Sequence, residues 1–172
     1  GAQDELIFDG ESLAFSSRGD CLGQGKAFEE DLVLIDLESD HVVELKVKPR
    51  EEKMFRALCL GVSDYFKKTG HTEAVLGLSG GIDSALVAVI AADALGAENI
   101  HGISLPSKYS SDHSLSDAQA LADNLNIDYR ILPIQEAVEG LETVLHPHFL
   151  GMEPNVAEEN IQARARGNLL MA

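Results

Sequence analysis

Residues 76–86 read Leu76-Gly77-Leu78-Ser79-Gly80-Gly81-Ile82-Asp83-Ser84-Ala85-Leu86, and the fold turns on how this stretch changes character. The apolar run 74–78 has the length and composition of a buried strand. The alanine-rich run 85–95 that follows has those of a helix. Between them lie only small and polar residues, so the chain passes from strand to helix through a tight Gly-Gly turn. Such a turn leaves the first N–H groups of the helix without intrahelical acceptors, and the helix dipole adds positive potential there. That is an anion site. Gly80 and Gly81 permit positive φ and close approach of a phosphate to the backbone. Ser79 and Ser84 add hydroxyl donors. Asp83 is the odd member, because a carboxylate repels a phosphate unless a cation lies between them, and this points to Mg²⁺. A plain helix start, with Asp83 serving only the dipole, is the simpler alternative.

Working outward, residues 73–145 alternate strand-like and helix-like runs. Strands are expected at 74–78, 100–105 and 128–132, starting roughly 27 residues apart, the length of a strand–helix–strand unit. Helices are expected at 114–126, opened by Ser114 with Asp117, and at 134–145, with Ile134, Ala137, Leu141 and Leu145 inward and Pro147 as the stop. The fold class is therefore α/β with a parallel sheet and right-handed crossovers. Ligands in such sheets lie beyond the carboxyl ends of the strands, so the loops after Leu78, Leu105 and Leu132 should converge. The loop after Leu105 carries Lys108, Tyr109 and Ser110, side chains able to donate hydrogen bonds.

The first 48 residues differ. Short β-like runs at 5–8, 12–15, 31–36 and 41–47 are separated by turn residues, among them Gly23-Gln24-Gly25. Pro49 and a charged turn then open a helix whose apolar stripe is Met54, Leu58, Gly61, Val62, Tyr65 and Phe66, closed by Gly70. The boundary is placed there, giving a β-rich segment 1–48 and an α/β segment 49–172. From residue 157 onward a polar helix runs to the end, with Asn160 and Arg164 four apart on one face. With no Met at Gly1 and no stop signal in that last helix, the sequence reads as an internal piece of a longer polypeptide.

Composition narrows the partners. The 172 residues include 29 acidic and 13 basic ones, a formal net charge of -16. Such a surface disfavours nucleic acid and anionic membranes, although it does not oppose a nucleotide held by local N–H groups and Mg²⁺. No apolar run has the length of a membrane span. Cys21 and Cys59 make no metal or disulfide pattern, which suits a reducing, cytoplasmic setting. His113, His146 and His148 lack metal-ligand spacing.

No lysine follows Gly81, so the loop is not a Walker A motif. Ser-Gly-Gly-Ile-Asp-Ser instead resembles the pyrophosphate-binding loop of the ATP pyrophosphatases, whose fold is the adenine-nucleotide alpha-hydrolase type. Three stretches in order narrow the resemblance. Residues 1–10 resemble the late part of a nitrilase-type glutaminase domain. Residues 79–84, with Leu105-Pro106-Ser107-Lys108-Tyr109-Ser110-Ser111, resemble an NAD synthetase ATP site. Glu158-Glu159-Asn160-Ile161-Gln162-Ala163-Arg164-Ala165-Arg166-Gly167 resembles that enzyme's dinucleotide-binding helix.

The chain as a whole thus resembles the glutamine-dependent NAD⁺ synthetases. It would comprise the C-terminal part of a nitrilase-like domain with a connector (1–48) and the N-terminal part of the synthetase domain (49–172). The resemblance implies ATP-dependent amidation of deamido-NAD⁺ through an acyl-adenylate, with nitrogen from glutamine or ammonia and a homo-oligomeric whole enzyme. It implies that Ser79, Gly80, Gly81, Ile82, Asp83 and Ser84 hold ATP, with Asp83 toward the metal. Asn160 and Arg164 would hold deamido-NAD⁺, and Lys108, Tyr109, Ser110, Glu158 and Glu159 are further candidates near ATP, substrate or metal. The glutaminase Glu, Lys and Cys have no counterpart in these residues. A GMP synthetase-like amidase, a tRNA-thiolating enzyme and a non-catalytic ATP-binding module are the rival readings.

Overall fold

The computed structural model describes residues 6–38, 41–108, 110–151 and 156–172, without the side chains of Asp112 and Glu158. The chain divides into two compact units, residues 1–71 and 72–172.

In the first unit, strands β1 (Leu13–Phe15) and β2 (Cys21–Gln24) form a short antiparallel ribbon, extended by a bridge between Gly10 and Ala27. The expected strands at 31–36 and 41–47 do not form. A strand needs a ladder partner. Residues 33–35 instead lie over Gly23, where a Cβ would meet the Ile35 and Val33 side chains at 3.1 and 3.2 Å. The Gln24 side-chain amide takes up the Lys46 backbone, accepting its N–H at 2.9 Å and donating to its carbonyl at 3.0 Å. Gly23 and Gln24, read as turn residues, are therefore strand.

Helix α1 (Arg50–Thr69) starts after Pro49 and ends at Gly70, whose φ of +77° is the left-handed cap. Glu51 and Glu52 in its first turn, with Lys67 and Lys68 in its last, complement the dipole. The expected apolar stripe is only partly covered. Cys59 is buried, whereas Met54, Leu58 and Tyr65 are exposed. Gly61 admits Ile7, whose Cδ1 would stand 2.9 Å from an added Cβ.

The second unit carries the expected parallel sheet. Strands β3 (Ala74–Gly77), β4 (Ile100–Ser104) and β5 (Asp128–Ile131) lie in sequence order, with Ala74 opposite Ile100 and His101 opposite Asp128. Helix α2 (Ile82–Leu95) and a 3₁₀ turn at Ala97–Asn99 join the first pair, and α3 (Asp112–Leu125) joins the second. Alanines make the close packing possible. Ala88, Ala91, Ala118 and Ala122 bury against Leu78, Ile100 and Ile127. A fully buried Ile100 stabilises the fold by roughly 1.5–3 kcal/mol, so the middle of the sheet tolerates little change.

Helices α4 (Gln135–Phe149) and α5 (Val156–Met171) pack through Ile134, Val138 and Ala165. Three details depart from the sequence expectation. Helix α3 is capped by Ser111, whose hydroxyl accepts the Ser114 N–H, so Ser114 is not itself the cap. Pro147 lies inside α4 rather than ending it, close enough to the C-terminus to cost only one backbone donor. Val138, not Ala137 or Leu141, is the buried partner of Ile134, because the next inward position falls one full turn on.

Candidate functional site

The loop 78–84 leaves the carboxyl end of β3 and enters α2, as the strand–turn–helix reading requires. Gly81 is the N-cap of α2 and no side chain caps the helix. The first helical hydrogen bond runs from Ala85 N–H to the Gly81 carbonyl at 3.1 Å, so the N–H groups of Ile82, Asp83 and Ser84 stand ahead of it. The loop braces itself meanwhile. Ser84 Oγ donates to the Gly81 carbonyl at 2.9 Å, and Gly81 N–H donates to Ser79 Oγ at 3.2 Å. Ser79 N–H donates to Ser84 Oγ at 3.3 Å, and the two hydroxyl oxygens are 3.1 Å apart. Since a hydroxyl has one proton and that of Ser84 goes to Gly81, Ser79 supplies the proton between them.

Two cavities adjoin this loop. One, of about 560 Å³, is bounded by the carboxyl ends of β3 and β4, the start of α3, and α5; Ser79, Ser104, Ser110, Ser111 and Ser114 line it with Arg166. The other, of about 420 Å³, lies between the start of α2 and the later turns of α3, from Asp117 to Asn124, and takes in Gly80, Gly81, Ile82 and Ser84. Gly80 brings the two helix starts together. Its φ is +79°, and a Cβ on it would fall 2.4 Å from the Ser114 carbonyl oxygen.

Ser79, Gly80, Gly81, Ile82 and Ser84 therefore meet around one turn, with Asp83 exposed in the first turn of α2 beside them. Among the described residues no group of three His, Cys, Asp or Glu side chains could hold a metal ion. A single carboxylate with hydroxyl neighbours is an oxygen donor set that would suit Mg²⁺. Ser110 lines the larger cavity and its hydroxyl accepts the Ser107 N–H at 3.0 Å. Lys108 is exposed. Tyr109 and the side chain of Glu158 lie outside the described residues.

On α5 the buried flank is Ala165, with Ile161 and Leu169 packed alongside. Asn160, Glu159 and Arg164 are exposed and do not line the larger cavity. Arg166 and Leu170 do, and Arg166 Nε donates to the Leu105 carbonyl at 3.1 Å. The sequence reading passed over Arg166, and over Ser104, Ser111 and Ser114. Arg166 stood in the quoted helix segment; what singles it out is its place on the other flank of Ala165 from Arg164.

The NAD synthase family model matches residues 54–172. A glutamine-dependent NAD(+) synthetase of Synechocystis sp. is 48% identical over all of this chain, and one of Thermotoga maritima 41%. The structure of a glutamine-dependent NAD+ synthetase from Acinetobacter baumannii, in complex with ADP, superposes on 99% of this chain with a TM-score of 0.91 and 36% identity. The chain spans only about a third of each of these proteins, 32%, 36% and 34% respectively. The matched region begins within α1 and takes in the loop, both cavities and α5: this chain belongs to the NAD synthase family.

Proposed function

We propose that this chain supplies the ATP-binding part of a glutamine-dependent NAD⁺ synthetase, in which deamido-NAD⁺ is amidated at its nicotinate carboxylate. The observation that carries this reading is the uncapped start of α2, facing the Ser79–Ser84 turn beyond the carboxyl end of β3. The ADP held by the Acinetobacter relative and the names of the Synechocystis and Thermotoga relatives support it.

In this mechanism a nicotinate carboxylate oxygen attacks the α-phosphorus of ATP, and the bond to the β-phosphate breaks to release pyrophosphate. Ammonia then attacks the acyl carbon, loses a proton and displaces AMP. The protein's part is positioning and charge stabilisation, and no acid–base dyad is required of it. The N–H groups of Ile82, Asp83 and Ser84 receive phosphate oxygens, and the hydroxyls of Ser79 and Ser84 turn from their mutual bond toward the same anion. Asp83 would hold Mg²⁺, which would supply neutralisation of phosphate charge. Asn160, Arg164 and Glu159 present the exposed face of α5 to deamido-NAD⁺, with Glu158 beside them on that helix. Lys108, Tyr109 and Ser110 are assigned to ATP or substrate, and Ser110 lines the larger cavity. Residues 1–48 are assigned to a nitrilase-like glutaminase domain and its connector, residues 49–172 to the synthetase domain. The whole enzyme is assigned to the cytoplasm as a homo-oligomer.

The test is pyrophosphate release from Mg-ATP by residues 1–172 carried in a polypeptide of the relatives' full span. Deamido-NAD⁺, xanthosine monophosphate and aspartate are offered in turn. Release is expected with deamido-NAD⁺ alone, and Asp83→Asn should lower it roughly 10²–10³-fold, the scale of losing one preorganised charge-stabilising group. Release with another acceptor, or with none, refutes the assignment.

A further inference from the structure

We infer that Ser104 and Tyr129 are positioning residues for the phosphate loop, an inference that rests on the functional reading above. Ser104 is the last residue of β4 and is 2% exposed. Its hydroxyl donates to the Leu78 carbonyl at 2.7 Å and accepts the Tyr129 hydroxyl proton at 2.7 Å. Its own carbonyl accepts the Leu132 N–H at 2.8 Å. One buried serine thus ties the carboxyl ends of all three strands together.

The consequence reaches the loop through a single peptide unit. The Leu78 carbonyl and the Ser79 N–H lie in one rigid plane, on opposite edges of it. Ser104 holds one edge, and the other donates to Ser84 Oγ at 3.3 Å. The plane that opens the phosphate loop is therefore fixed from the sheet side and the helix side together. Leu78 is also 2% exposed, so its carbonyl is a buried acceptor. Removing that hydroxyl leaves a buried carbonyl unpaired and lets the plane turn, carrying Ser79 N–H away from Ser84.

Packing by itself does not account for the pair. Alanine or valine would fill a buried strand position, and phenylalanine would place the same ring against the core beside α3. What serine and tyrosine add is two protons with fixed destinations: that of Ser104 goes to the Leu78 carbonyl, and that of Tyr129 goes to Ser104 Oγ and so orients it. Neither residue touches the reacting atoms. Their effect is on where the loop's donors point.

The experiment measures Mg-ATP affinity by calorimetry and thermal midpoint by circular dichroism for the full chain, Ser104→Ala and Tyr129→Phe. Both variants should weaken Mg-ATP by roughly 3–10-fold, the range for one hydrogen bond. Tyr129→Phe, which removes one oxygen and opens no void, should do so with its midpoint nearly unchanged. If Ser104→Ala does not fold, Tyr129→Phe decides alone. Unaltered affinity in Tyr129→Phe, even with a lowered midpoint, reduces the pair to ordinary packing and overturns the inference while leaving the functional reading intact. Failure of the unsubstituted chain to bind Mg-ATP removes both.

Discussion

Gly80 stands at φ +79° with the Ser114 carbonyl where a side chain would be, so two independent constraints fall on one residue. The sequence exposed the first, since a Gly-Gly turn between strand and helix asks for positive φ. The second depends on α3 packing across the turn, which no local pattern encodes. Gly80→Ala should cost about 1–3 kcal/mol from backbone strain alone, with the collision against Ser114 adding to it. Urea unfolding checks this, and a variant as stable as the parent would refute it. Arg164 and Arg166 teach the same lesson from the other side. Both sit in one polar segment, and only the burial of Ala165 at 2% exposure between them decides that Arg166 faces the cavity.

At the scale of elements, periodicity was a good guide wherever one element supplies its own hydrogen bonds or a neighbour lies one crossover away. The three parallel strands and helices α1 to α5 were legible for that reason, although in α4 the inward position after Ile134 is Val138 rather than Ala137. It failed in residues 31–36, where the apolar run Leu32-Val33-Leu34-Ile35 finds no ladder to join. The sheet also carries a charge arrangement that spacing did not announce. Asp128 of β5 accepts from His101 Nδ1 of β4 at 3.0 Å and from Arg130 Nε at 3.0 Å. The His101 hydrogen bond is the leading cause that holds the Asp128 carboxyl below the usual aspartate range. Desolvation opposes it, and Arg130 adds charge and a hydrogen bond. A depressed carboxylate stabilises the fold fully above its unfolded value, and that contribution disappears as pH falls through the folded value. Asp128→Asn should therefore flatten the acid side of the stability–pH curve below the ordinary aspartate range. Superimposable acid limbs for parent and variant in chemical denaturation would contradict the strand-to-strand link.

At the scale of the whole molecule, both cavities and the turn at 79–84 belong to the unit 72–172. Mg-ATP should accordingly slow amide hydrogen exchange in residues 78–88 and 104–116, which border those cavities, and leave residues 10–30 of the other unit unchanged. Exchange slowed equally in both units would place the nucleotide elsewhere. The formal charge of -16 bears on this too. It makes the approach of a nucleotide unfavourable at long range, so on the proposed function affinity would have to come from short-range donors such as N–H groups and hydroxyls.

The sequence alone determined the parallel α/β unit and the strand–turn–helix at 79–84. These features rest on local rules, namely apolar periodicity, glycine's access to positive φ and the unpaired N–H groups at a helix start. Tertiary structure alone decided which side chains surround that turn. Ser104 reaches Leu78, Tyr129 reaches Ser104, Ser114 closes on Gly80 and Arg166 reaches Leu105. Each of these contacts joins residues from different elements, and the packing of alanines and isoleucines between the layers sets the distances that make them possible.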